Sequence, residues 1–101
     1  MFVEYRKRTG PRSKFAMGVE LSRKGIDDIT VEQVLSDESD RQLATLALKF
    51  KQHAWRHLDL DKRKQKAMRF LNSRGFSYDH MVAALEHVTD NEWIEDPFNG
   101  E

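Results

Sequence analysis

Two histidines four residues apart, His53 and His57, come nearest to a metal site in this 101-residue sequence, because that spacing sets both imidazoles on one helical face. The spacing stops there. Ala54 stands where a metallohydrolase of this pattern needs its glutamate, no third ligand is evident, and the chain has no cysteine. His80 and His87 are seven residues apart on the last expected helix and read as surface or packing residues. Paired carboxylates suit general acid–base work, and two such pairs lie near apolar residues, Asp27-Asp28 and Asp59-x-Asp61. Both stand where helices are expected to begin, so capping explains them more simply. There is no glycine-rich phosphate loop, nucleophile elbow or calcium loop. The expectation is a binding module and not an enzyme, with no catalytic residue, no metal and no cofactor.

The residues that remain are charged, and their order carries more than their sum. Net charge is zero, yet residues 1–25 hold seven Lys/Arg against two acids, and residues 26–40 hold six acids and no base. The alternation then repeats: 41–74 hold ten bases against two acids, and 75–101 hold seven acids and no base. Sorting of this kind is what a dipolar binding surface looks like in sequence, although solvated helix faces can produce it too. Two basic sets are the candidate contact residues: Arg6, Lys7, Arg8, Arg12 and Lys14 with Arg23 and Lys24, and Lys62, Arg63, Lys64, Lys66, Arg69 and Arg74. Phosphate neutralisation by either would make binding salt-dependent. The aromatics Phe2, Tyr5, Phe15, Phe50, Trp55, Phe70 and Phe76 interleave with these bases, as stacking on unpaired bases would need, but their spacing favours core positions. Tyr78 and Trp93 stay open.

Helices must position these residues. Pro11 to Lys24 reads as one, stopped by Gly25 after a basic pair. A short helix over about 30–37 follows from the Thr30-x-x-Gln33 pattern, with Ile26, Val31, Val34 and Leu35 on one face. Ser39 or Asp40 caps a longer helix, whose Leu43, Leu46, Ala47, Phe50 and Ala54 form the packed stripe. Asp59 or Asp61 opens the next, which carries Ala67, Met68, Phe70 and Leu71 and ends at Arg74-Gly75; Ser77 caps the last, with Met81, Ala84, Leu85 and Val88 inward. Residues 90–101, acidic with Pro97 and Gly100, read as loop or disorder, with Trp93, Ile94 and Phe98 free to pack back. No segment alternates as a strand does, no apolar run approaches the ~20 residues that span a bilayer, and no signal-peptide core is present. These features and the absence of cysteine suit a cytoplasmic protein without contact with membrane.

Shifting the chain by fifty residues lays Leu21-Ser22-Arg23-Lys24-Gly25-Ile26 over Leu71-Asn72-Ser73-Arg74-Gly75-Phe76, and Val31, Val34 and Leu35 over Met81, Ala84 and Leu85. A helix that ends at glycine, an apolar plug and a helix turned back on the first thus occur twice. The expected fold is all-α, tandem three-helix repeats packed at right angles without a sheet. One repeat lies within 1–37, the second covers 38–89, and a tail covers 90–101.

Glu20-Leu21-Ser22-Arg23-Lys24-Gly25-Ile26 and Arg69-Phe70-Leu71-Asn72-Ser73-Arg74-Gly75-Phe76, with Phe2, Tyr5 and Arg6 in an opening helix, resemble the RecX family of bacterial recombinase regulators, in particular its C-terminal two repeats. The resemblance runs from Phe2 to Val88. It departs from the family pattern in placing Gly10-Pro11 about three residues early and in Gly18, a glycine in mid-helix; family members also carry a further N-terminal repeat, and this chain begins where that would end. The resemblance implies a monomeric regulator that lies in the groove of the RecA filament on single-stranded DNA and restrains its activities in recombination, DNA repair and the SOS response, with possible direct contact to the DNA. Two rivals stand beside it. A helix-turn-helix module would bind nucleic acid alone, but here the basic helix precedes the glycine and Ser77 to Thr89 lacks Lys and Arg, the reverse of a recognition helix. A partner-binding bundle would dimerise through the stripe from Leu43 to Ala54.

Overall fold

Residues 10–13 do not join the helix that follows them, and the reason sets the layout of the molecule. Ser13 is extended (φ −63°, ψ 161°), its side-chain oxygen accepts the Ala16 N–H at 3.0 Å, and its own N–H donates to the Arg74 carbonyl at 3.1 Å. The computed structural model describes residues 2–88, in the order α1 (Phe2–Thr9), α2 (Lys14–Arg23), α3 (Asp28–Leu35), α4 (Asp40–Trp55), α5 (Leu60–Ser73) and α6 (Tyr78–Val88), with no strand among them. So α2 starts at Lys14 and not at Pro11, which is buried in the preceding segment. The short helix α3 starts two residues before Thr30 because Asp27 is its cap, accepting the Thr30 N–H at 2.8 Å. That hydrogen bond, with a second from the Thr30 hydroxyl, holds the Asp27 carboxyl below its ordinary pKa. Ser39 and Asp59 cap α4 and α5 in the same manner, through the N–H groups of Gln42 and Lys62. The acidic tail lies outside the described residues.

The two glycine stops are copies of each other in geometry. Gly25 and Gly75 share φ of 91°. In each turn the glycine N–H bonds the carbonyl three residues back, Ser22 or Asn72, at 3.0 Å. The plug N–H, Ile26 or Phe76, reaches the carbonyl of Leu21 or Leu71 at 3.1 and 3.2 Å. This is the Schellman arrangement, in which a left-handed residue satisfies the helix's last carbonyls while the plug packs over its last turn. Phe76 is buried by it and Ile26 is half-buried against the core.

α4 packs most broadly on α6, α5 lies against both, and α2 pairs with α3, while α1 reaches α4. The core is continuous through all of them, with Val3, Met17, Leu21 and Leu35 from the first three helices and Leu43, Ala44, Ala47, Leu48, Ala67, Leu71, Phe76, Met81, Ala84 and Val88 from the rest. The molecule is elongated, 49 × 23 × 19 Å. The buried stripe of α4 is rotated from the expected one: Ala44 and Leu48 go inward, while Phe50 and Ala54 face solvent. Leu43 and Ala47 of the expected stripe are buried inside the chain. Two aromatics read as core are also outside, Phe15 at 77% exposure and Tyr5 at 52%. Phe15 stands on α2 on the side where the short α3 lies alongside, and among the described residues no third layer covers it.

The junction between the halves is polar at its edges. Asp40, in the first turn of α4, accepts the Lys14 N–H at 2.7 Å and lies 3.8 Å from His80 Nδ1. Lys7 of α1 pairs with Glu38 at 2.9 Å, a hydrogen bond that raises the lysine's pKa. At the centre, Gly75 abuts the start of α2: a Cβ there would lie 2.7 Å from Ser13 Oγ and 3.1 Å from the Ala16 methyl. Gly25 has nothing within 4 Å of that position.

The two glycines should therefore respond differently to the same change. Gly25→Ala is expected to cost about 1–2 kcal/mol, the strain of a left-handed alanine. Gly75→Ala adds the overlap with Ser13 and should lose clearly more in urea unfolding; equal losses would mean the junction yields freely. In mid-helix, a Cβ on Gly18 would make ordinary contacts with Val31 and Leu35 at 3.5 and 3.7 Å. Gly18→Ala should accordingly raise stability by about 0.5–1 kcal/mol, seen as a higher midpoint in the same titration.

Candidate functional site

The basic residues do not stay in the two sets that their order in the chain suggests. Arg74, from the end of α5, leaves its set and lies close enough to Arg12 of the segment before α2 and to Arg6 of α1 to feel their charge. Three contacts fix it there. Its carbonyl takes the Ser13 N–H, its guanidinium lies over the Phe70 ring with Cζ 5.0 Å from the centroid, and a Cβ built on Gly10 would sit 3.7 Å from its Nη2. Partial burial, and then the charges of Arg12 and Arg6, hold the Arg74 pKa below its ordinary value. Arg6 pairs with Glu20 of α2 and lies over the rings of Phe2 and Tyr5, with Cζ 5.7 and 5.9 Å from their centroids. Lys24 approaches Phe2 as well, its Nζ 5.3 Å from the ring centre. The Nε atoms of Arg6 and Arg12 are buried without a hydrogen-bond partner among the described residues, as is Oε1 of Glu20. Of these three arginines, Arg6 pairs with a carboxylate among the described residues, that of Glu20.

The other candidates divide into solvated and committed groups. Arg8, Arg23, Lys62, Lys64, Lys66 and Arg69 are exposed. Lys7 is tied to Glu38, and the Lys14 backbone is held by Asp40. Arg63 points back at the end of α4, where Nε donates to the carbonyls of Leu58 at 2.9 Å and Trp55 at 3.2 Å and Nη2 donates to that of Arg56. It serves the C-terminus of α4, where unpaired carbonyls and the helix dipole both favour a cation. Sequence reasoning missed Lys51, whose Nζ lies 5.5 Å from the Phe70 centroid, on the ring that also carries Arg74 and meets Trp55 edge to face at 5.8 Å. The i, i+4 spacing of Lys51 and Trp55 on one side of α4 was the available clue. A cavity of about 690 Å³ beside α4 is lined by Lys7, Arg41, Lys49 and His87 together with Glu38 and Glu86.

His53 and His57 are exposed, and no group of three His, Cys, Asp or Glu side chains able to hold a metal occurs among the described residues. Asp27 and Asp59 are occupied in capping. No helix of the described residues is long and apolar enough to cross a membrane.

Comparison with known proteins adds to this geometry. A family model, the third three-helix domain of RecX, matches residues 37–85. The regulatory protein RecX of Neisseria meningitidis serogroup B is 42% identical over 76 residues, which cover 75% of this chain and 49% of that protein. The regulatory protein RecX of Clostridium perfringens strain 13 is 30% identical over 100 residues, 94% of this chain and 46% of that protein. The one from Bacillus subtilis is 32% identical over 93 residues, 86% and 34% respectively. The chain spans about half the length, or less, of the curated relatives it matches. No solved structure gives a significant match.

Charge removal separates the committed from the solvated cations. Arg63→Ala should cost about 1–2 kcal/mol in chemical denaturation, because it strips the end of α4 of its donors. Lys64→Ala, one residue on and exposed, should stay within about 0.5 kcal/mol. Similar, negligible losses at both positions would return Arg63 to the solvated group.

Proposed function

The chain belongs to the RecX family, and from that premise we propose that it is a non-enzymatic regulator that binds the RecA filament in the cytoplasm and restrains its activity in recombination and DNA repair. The observation that carries the reading is the shape and charge of the molecule together: an elongated body of 49 × 23 × 19 Å with bare cations along α5 and a cluster of arginines at the junction. A long, narrow body suits a groove that runs along a filament of repeated subunits, and dispersed cations suit a partner rich in acidic groups or phosphate. We take residues 1–37 and 38–89 as its two units, acting as a monomer through the surface that both contribute.

The reading against a helix-turn-helix protein is supported by α6. It follows the Gly75 turn as a recognition helix would, yet its sequence, Tyr-Asp-His-Met-Val-Ala-Ala-Leu-Glu-His-Val, contains no Lys or Arg. Phosphate attraction on that face is weak.

Binding to RecA filaments assembled on single-stranded DNA, compared with bare single-stranded DNA across a salt series, tests the proposal, with the filament's ATPase rate followed in parallel. Preference for the filament with a fall in ATPase is the expected result. Binding to bare DNA alone, with no effect on ATPase, would replace the proposal with a plain nucleic-acid module.

A further inference from the structure

The cavity beside α4 and the sequence that follows α6 suit each other. Its floor is apolar, made by the buried Leu43 and the half-buried Leu46 and Ala83, and its volume of about 690 Å³ leaves room for large side chains. The open part of its rim is basic: Lys7 is answered by Glu38, but Arg41 and Lys49, eight residues apart on one side of α4, are exposed. Glu86 and His87 of α6 line the same cavity, so the chain leaves α6 after Val88 at the cavity's edge. Beyond Val88 the sequence reads Thr-Asp-Asn-Glu-Trp-Ile-Glu-Asp-Pro-Phe-Asn-Gly-Glu, with five acids, no Lys or Arg and three large apolar residues, Trp93, Ile94 and Phe98.

We infer that this C-terminal segment, residues 89–101, docks back on its own chain over the cavity beside α4, with Trp93 and Ile94 against Leu46 and Ala83 and its carboxylates against Arg41 and Lys49. Reach allows it. Trp93 is five residues past Val88, and five extended residues span at most about 17 Å, whereas the stretch of α4 from Arg41 to Lys49 is about 12 Å long. Because the segment is tethered beside the cavity, its effective concentration there is high, and a contact too weak to hold a separate peptide suffices. The groove between α2 and α3, lined by Phe15, Val19, Val31 and Leu35, is the competing apolar surface, but none of its lining residues belongs to α4, α5 or α6, and the segment departs from α6. The inference goes beyond the regulator reading and does not depend on it. Its consequence is that an acidic partner meets Arg41 and Lys49 only after displacing the chain's own acids.

The test reads Trp93 in the whole chain. Trp55→Phe leaves Trp93 as the sole tryptophan, and each variant is first checked for an unchanged helical spectrum and melting profile. Acrylamide should quench Trp93 fluorescence several-fold less than that of a synthetic peptide of residues 89–101. Arg41→Glu, at an exposed place on the rim, and Leu46→Asp, on the floor, should each raise quenching towards the peptide's value. Phe15→Asp in the other groove and Lys64→Glu on α5 should leave it unchanged. Quenching equal to the peptide's before any change at the cavity overturns the inference, and so does protection that ignores both Arg41 and Leu46. Release by Phe15→Asp and not by Leu46→Asp moves the segment to the groove between α2 and α3, and protection lost on dilution makes the contact one between two copies; either result also overturns it. If Trp55→Phe unfolds the chain, fluorine NMR of the unsubstituted chain carrying fluorotryptophan gives the same readings, with the Trp93 signal assigned through Trp93→Phe.

Discussion

One backbone hydrogen bond, from Ser13 N–H to the Arg74 carbonyl, organises the junction on which the rest depends. It requires the turn at Gly75 to approach the start of α2 so closely that a methyl group would overlap Ser13 Oγ. Ser13 in turn must leave the helix, cap it from outside and stay buried, which is why Pro11 and Gly10 are buried with it. Asp40 then finds the Lys14 N–H at the end of the same helix. Each step follows from placing a helix end against a glycine turn and supplying every freed donor with an acceptor.

That arrangement explains why much of the fold was legible in the sequence and much of the site was not. The glycine stops, the plugs and the caps at Ser39 and Asp59 are set by neighbours within a few residues, so pattern alone finds them. The Asp27 cap was visible as an acid pair, but Thr30-x-x-Gln33 offered a competing start two residues on. The faces of α4 were harder to place. Leu46, Phe50 and Ala54 keep a helical period as well as Ala44 and Leu48 do, and only the position of α6 decides which of them is covered. Phe15 and Tyr5 went outside for a related reason: apolar character does not specify a partner, and among the described residues no neighbouring helix buries them.

Charge shows the same division between order in the chain and order in space. The sequence places Arg63 beside Lys62 and Lys64 as one of three equivalent bases, yet it alone turns inward to the carbonyls of α4. Arg74 and Arg12 belong to different basic blocks and become neighbours only through the Gly75 turn. Block charges therefore describe how the chain was composed and not which cations act together, because a helix distributes adjacent residues around its axis and a tertiary contact gathers distant ones.

The contact at Ser13 also has a place in time. Its partner lies about sixty residues further along, whereas α4, α5 and α6 meet through short connections. During synthesis the N-terminal helices leave the ribosome well before the Arg74-Gly75 turn exists. Met17, which is fully buried in the finished protein, has by then α3 beside it but not yet α4 to α6. Closing so long a loop is entropically slow, so the docking of the early helices onto the late ones is the natural last step of folding, and the interval before it is when the nascent chain has most apolar surface to hide.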